Sequence, residues 1–163
     1  MSAPTGPLAI QTLRDRPDLL PTVASWHWNT WGRPGAGITL AEQSSKLRTA
    51  YLDDDPDWEM CWVAVANGAP AGTASLVADD GLGPPWDTVG PWLASVFVLP
   101  EHRGRWIASA LIQYVGDMAR LADFRELFLY TPDQQSLYRR HGYVDIARAR
   151  GQQAEVDVMR TAL

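Results

Sequence analysis

Residues 91 to 111 constrain this chain more than any other stretch, because they read locally as a strand, a tight turn and two turns of a helix. Leu93 to Leu99 is short and rich in β-branched and aromatic side chains, the composition of a strand. Pro100 ends it, since proline cannot donate to a ladder. Beyond the turn, Ile107, Leu111, Val115, Met118 and Ala122 are spaced by four, four, three and four, which is one face of a helix. A helix opens on backbone N–H groups without internal partners and on the positive end of its dipole. Gly104 between Arg103 and Arg105 adds bare backbone and cationic charge. Two readings stay open on this pattern alone: an anion site fit for a phosphate or pyrophosphate, or a plain strand-to-helix connection with two solvated arginines.

Arg103-Gly104-Arg105-Trp106-Ile107-Ala108 resembles the acyl-CoA pyrophosphate loop of the GNAT acetyltransferase superfamily, with Pro100-Glu101-His102 before it and Ser109-Ala110-Leu111-Ile112 after it in keeping. One position departs, since Trp106 stands where the family has its second glycine. Glycine there permits close backbone approach, and a tryptophan is compatible with that if it is helical. The resemblance is strong from Pro91 to Tyr143 and weaker over the rest. It implies a GNAT-type mixed α/β sheet of about seven strands with four helices, and acetyl-CoA as co-substrate.

The remaining elements follow in order. Leu8 to Leu13 alternates as a first strand, and Leu19, Leu20, Val23 and Trp26 suggest a first helix after Pro17, ending near Trp31-Gly32. Arg33 to Gly37 reads as a loop. Thr39-Leu40-Ala41-Glu42 is a capping box that starts a second helix running to about Tyr51, and Asp53 to Asp57 breaks it. Met60 to Ala66 is a buried strand, Asn67-Gly68 a two-residue hairpin turn, and Ala71 to Val77 the partner strand. Ala78 to Gly90 is a long loop of the kind that often carries function. Glu126 to Tyr130 is a further strand, a helix capped by Asp133 follows, and Gly142 suits a left-handed helix end. Tyr143 to Ala149 and Ala154 to Thr161 complete the pattern β-α-α-β-β-β-α-β-α-β-β, a mixed sheet covered by helices.

Length and charge narrow the classes. The 163 residues suit one domain, here residues 8 to 163 after a disordered lead over residues 1 to 7. A net charge of -5 argues against a broad nucleic-acid-binding face. No apolar run approaches the roughly 20 residues of a membrane span. The single Cys61 excludes a disulfide framework and fits a reducing cytoplasm, and no acidic, His or Cys spacing suggests a metal.

The resemblance also assigns chemistry. In the family the central strand and its successor splay apart, and the pantetheine arm lies between them. That sets Val96, Phe97 and Val98 beside the pantetheine and the N–H groups of Arg103, Gly104, Arg105, Trp106, Ile107, Ala108 and Ser109 around the pyrophosphate. Tyr138, four residues before Gly142-Tyr143, matches the family's general acid, a phenol that stays protonated at neutral pH; by helical pattern alone it is a core aromatic. The central strand has no carboxylate for a general base. Ser95 relaying through water, Asp87, His27, or an amine that arrives deprotonated are the alternatives. The acceptor site implied by the family lies among tryptophan-rich segments, where Trp28, Trp31 and Trp86 could wall an apolar or cationic acceptor. Asp79, Asp80 and Asp87 could attract an ammonium group or form a solvated face. The expected activity is acetyl transfer to a primary amine of a small molecule by direct attack in a ternary complex. Transfer to a peptide or protein amine, and a non-catalytic acyl-CoA sensor, are the rivals. A homodimer through the last strands is a family expectation.

Overall fold

The computed structural model describes residues 7–53 and 58–163. Most of the expected lead, and the break over 54–57, lie outside them. Seven strands form one sheet in the order β1-β2-β3-β4-β5-β7-β6. They are β1 Leu8–Thr12, β2 Met60–Ala66, β3 Ala69–Val77, β4 Trp92–Val98, β5 Glu126–Thr131, β6 Val144–Arg150 and β7 Glu155–Ala162. Four helices cover the sheet: α1 Leu20–His27, α2 Leu40–Arg48, α3 Ile107–Leu121 and α4 Gln135–Arg139. Every strand pair is antiparallel except β4 with β5. This is the mixed sheet and element order that the sequence pattern predicts.

One face of the sheet packs on α3. Ile107, Leu111, Val115 and Ala119 are all but sealed from solvent and join Leu76, Leu93 and Leu127 in one apolar cluster. Each aliphatic side chain buried this way contributes on the order of 2 kcal/mol. Ala122 falls at the helix cap instead, so Ala119 continues the stripe. A second cluster joins Leu20, Val23, Leu47 and Tyr51 from the α1–α2 segment to Cys61, Val63 and Val65 of β2. The loop from Ala78 to Gly90 covers a third, where Leu82, Trp86 and Val89 pack on Trp92, Phe128 and Val158.

Local signals explain most boundaries. Thr39 accepts from the Glu42 N–H at 3.1 Å and Glu42 accepts from the Thr39 N–H at 2.7 Å, closing the capping box. Asn67 and Gly68 both take positive φ, 52° and 79°, as a two-residue hairpin requires. Two predictions need correction. Arg33 to Gly37 is not a loop, because α1 continues as wide π-helical turns over Trp28–Ala36 until Gly37 at φ 67°. The Asn29 amide donates to the Ser25 carbonyl and the Thr30 hydroxyl to the Trp26 carbonyl. Such side-chain bonds to carbonyls four residues back perturb the α ladder. Asp133 does not cap α4, whose first residue lies later, at Gln135. The Thr131 hydroxyl accepts from the Asp133 and Gln134 N–H groups at 3.3 and 3.0 Å in the turn before the helix, and no side chain caps α4 itself.

Candidate active site

The sheet opens beside its central strand. β4 and β5 register only at Trp92↔Phe128, whereas β5 keeps six consecutive pairs with β7. Ser95, Val96 and Phe97 are consequently half-exposed in the middle of the molecule. The Leu99 N–H bonds the Ala71 carbonyl of β3 at 2.9 Å, so strand alternation turns the N–H groups of Val98 and Val96 away from β3, toward the opening. The Val98 carbonyl accepts from Arg103 Nε at 3.0 Å, which ties the following turn to the strand end.

A bulge marks the same place. The β3–β4 register shifts between Thr73 and Ser75, and Ser95 stands at φ 54°, a conformation uncommon outside glycine. The Thr73 hydroxyl donates to the Ser95 carbonyl at 3.1 Å and lies 3.1 Å from His27 Nε2. With its only proton committed to Ser95, that hydroxyl accepts from His27, which places the imidazole proton on Nε2. Burial pushes the His27 pKa down to about 4, so the ring is neutral. The sequence offers His27 as a base reaching in from a loop; the structure places it inside, with Nε2 holding the bulge through Thr73. Nothing in the local sequence of Thr73 signals that contact, which spans 46 residues.

Past the strand end, Pro100–His102 makes one 3₁₀ turn and the chain enters α3 through Gly104 at φ 73° and Trp106 at φ 65°. Trp106 is thus left-handed, not helical, and occupies the conformation for which glycine is the natural residue. Trp106 is 58% exposed. No side chain caps α3, so the N–H groups of Ile107, Ala108 and Ser109 lack the helix-internal partners that later residues have. Ser109 Oγ lies 3.1 Å from His141 Nε2, which links the start of α3 to the end of α4.

That second helix ends in a defined motif. Gly142, at φ 88°, donates its N–H to Arg139, and the Tyr143 N–H reaches back to the Tyr138 carbonyl at 3.2 Å. These paired bonds form a Schellman motif, and the accompanying apolar contact is Tyr138 against Tyr143, edge to face at 6.0 Å. The spacing of Tyr138 from Gly142-Tyr143 therefore fixes the phenol ring through the helix end. Burial, with smaller contributions from Asp80 and Asp133, raises the Tyr138 pKa above its ordinary value, so the phenol carries its proton at neutral pH. The ring is buried, yet among the described residues its hydroxyl has no hydrogen-bond partner, and it is not sealed from solvent.

The predicted aromatic wall is divided among separate settings. Trp28 donates to the Ile38 carbonyl at 2.8 Å beneath the Arg33 guanidinium. Trp31 packs edge-on to His27, and Trp86 edge-on to Trp92. The ring that lies on β4 is Trp26, 5.5 Å from Phe97. Among the described residues no group of His, Cys, Asp or Glu could hold a metal ion, and no helix is long and apolar enough to cross a membrane.

Known proteins share this architecture. The family model described as an acetyltransferase (GNAT) domain matches residues 57–145. A GCN5-related N-acetyltransferase from Kribbella flavida superposes with a TM-score of 0.72 at 18% identity, covering 96% of this chain and 98% of its own. An aminoglycoside 6'-N-acetyltransferase complexed with coenzyme A gives 0.71 at 14% identity, over 94% and 96% of the two chains. A spermidine N-acetyltransferase from Vibrio cholerae gives 0.70 at 16%, over 95% and 93%. No curated protein sequence matches the chain.

Proposed function

The chain belongs to the GNAT acetyltransferase family, and from that premise we propose that it moves an acetyl group from acetyl-CoA to a primary amine of a small molecule. Three observations carry this reading: β4 and β5 register at a single pair, α3 starts uncapped just past β4, and among the described residues the Tyr138 hydroxyl has no hydrogen-bond partner. The fit to acetyl-CoA is physical. The N–H groups of Val96 and Val98 face a vacant strand position, which suits an extended amide chain. The N–H groups from Gly104 to Ser109 suit a pyrophosphate; that of Arg103, expected among them, is instead taken by the Pro100 carbonyl at 3.3 Å. When bound, the coenzyme supplies an activated thioester.

Tyr138 donates its proton to the departing thiolate, a task for which a phenol held protonated is equipped. Direct attack by the amine is favoured because the one thiol is unsuited to carry an acyl group. Cys61 is fully buried and burial pushes its pKa up to about 12, which leaves almost no thiolate. The net charge of -5 favours approach of a cationic acceptor, and structural neighbours include acetyltransferases for aminoglycosides and spermidine. The test is thiol release from acetyl-CoA across alkylamines, polyamines, aminoglycosides and peptide amines. Turnover on a small amine supports the reading. Turnover on peptides alone moves the acceptor to that class, and coenzyme binding without any turnover makes the protein a sensor.

A further inference from the structure

The central strand carries no carboxylate, so the acceptor's proton needs another destination. We propose that Asp80, in the loop between β3 and β4, binds the ammonium group of the acceptor and takes its proton, an assignment that rests on the acetyl-transfer reading above. Two bonds tie the loop to neighbouring elements and a third folds it on itself. The Tyr130 hydroxyl of β5 donates to the Asp80 carbonyl at 3.0 Å. The Ala78 N–H bonds Glu59 Oε1 at 2.7 Å. The Gly81 N–H bonds Asp79 Oδ1 at 2.9 Å. Asp79 and Glu59 thereby spend carboxylate oxygens on backbone. Asp80 is half-buried, and among the described residues its carboxylate has no hydrogen bond and no cation.

Its surroundings are phenols from separate elements. The negative charge of Asp80 is felt by Tyr51, in the turns after α2, by Tyr130 on β5 and by Tyr138 on α4. All three phenols are neutral at physiological pH, and the other charged groups acting here among the described residues, Asp79, Glu59 and Asp133, are carboxylates. A site with several carboxylates and, among the described residues, no cation is complementary to an ammonium group. Burial, reinforced by Asp79, pushes the Asp80 carboxyl up to about 8. A carboxylate that basic is far closer to an alkylammonium near 10 than an ordinary aspartate near 4, and proton transfer is correspondingly easier. The Asp80 charge also acts on Tyr138, which links the proton's destination to the group that protonates the leaving sulfur.

The balance of the step is as follows. The acceptor ammonium gives one proton to Asp80, and its freed lone pair forms the N–C bond at the thioester carbonyl. Collapse of the adduct breaks the C–S bond, and Tyr138 protonates the sulfur. The second nitrogen proton replaces the one that Tyr138 gave. Amide and free thiol leave, and Asp80 returns its proton to solvent.

The experiment compares wild type, Asp80→Asn and Asp80→Glu on butylamine and on trifluoroethylamine, whose weakly basic nitrogen is neutral at pH 7. Coenzyme A affinity and thermal melts are followed alongside. Asp80→Asn should lower kcat/KM for butylamine about 100-fold, and should cost trifluoroethylamine less than about tenfold. The wild-type rising limb of kcat/KM against pH, expected near 8, should vanish in Asp80→Asn, while Asp80→Glu should recover part of the loss. The assignment is overturned if Asp80→Asn stays within about threefold of wild type on butylamine, or loses both amines equally. It is also overturned if both variants lose coenzyme binding together with stability, which would make Asp80 structural. Silence of the wild type on every amine would instead overturn the acetyl-transfer reading itself, and Asp80 with it.

Discussion

Replacing Tyr138 by Phe removes one oxygen and leaves the ring. The edge-to-face contact with Tyr143 at 6.0 Å and the Schellman bonds at Gly142 are made by ring and backbone, so the packing survives. Among the described residues the hydroxyl has no hydrogen-bond partner to lose. Its deletion should therefore change stability by less than about 1 kcal/mol, which for a domain of this size is a melting shift of roughly 2–4 °C. Catalysis should respond very differently. General acids contribute about 10²–10⁴ in rate, and two features favour the lower end. A thiol of pKa about 8.5 is already a fair leaving group, and a phenol raised by burial is a weaker acid than usual. The expected loss in kcat is about 10², close to 2.7 kcal/mol of transition-state stabilisation. Thiol release at saturating amine measures it, with calorimetry on coenzyme A as the control for binding. A variant with kcat within about threefold of wild type refutes the role of Tyr138, because the packing would be intact and only the proton donor missing.

Other outcomes follow from the same geometry. Gly142→Ala forces a side chain into φ 88° at a position where the new Cβ meets only Thr161 Oγ1, at 3.4 Å. The cost should be the conformational penalty of about 1–2 kcal/mol, read as a fall of several degrees in Tm, and no fall would contradict the Schellman assignment. Trp106→Gly relieves a similar penalty and gives back about 0.5–1 kcal/mol in unfolded-chain entropy. Melting should be unchanged or slightly higher and coenzyme affinity undiminished, and a clear loss of either would show that the indole contributes contacts. His27 has a folded pKa of about 4, below its unfolded value of 6.5. Its contribution is therefore fully present above pH 6.5, is lost as pH falls toward 4, and reaches about 3 kcal/mol at saturation. Denaturant titrations at pH 7 and pH 4 on wild type and His27→Gln measure this, and an equal acid response in both proteins would place the lability elsewhere.

What could be read in advance was what neighbouring residues decide among themselves. The Thr39–Glu42 box, the Asn67-Gly68 turn, the α3 stripe from Ile107 to Val115 and Gly142 each depend on contacts within a few residues, and each is found where expected. The widened turns after α1 were not legible. They arise where Asn29 and Thr30 reach back to carbonyls that an α ladder would use, and polar residues beside Gly and Pro read as a loop by composition. The conformation of Trp106 was missed for a related reason. A tryptophan gives no signal for positive φ; the turn imposes it from Gly104 onward. The bulge at Ser95 depends on Thr73 and His27, distant in the chain, and only the folded sheet brings them together. Asp80 was visible as one of several loop acids, but its freedom from partners depends on Glu59, Asp79 and Tyr130 engaging backbone around it.

Where the acetyl donor lies tests the central claim most directly, and a crystal structure with acetyl-CoA measures it. The expected result has the diphosphate on the N–H groups from Gly104 to Ser109, the pantetheine along Val96 and Val98, and the sulfur within hydrogen-bonding reach of the Tyr138 hydroxyl. A coenzyme bound elsewhere, or a turn closed by the indole of Trp106 with β4 drawn up against β5, would contradict it.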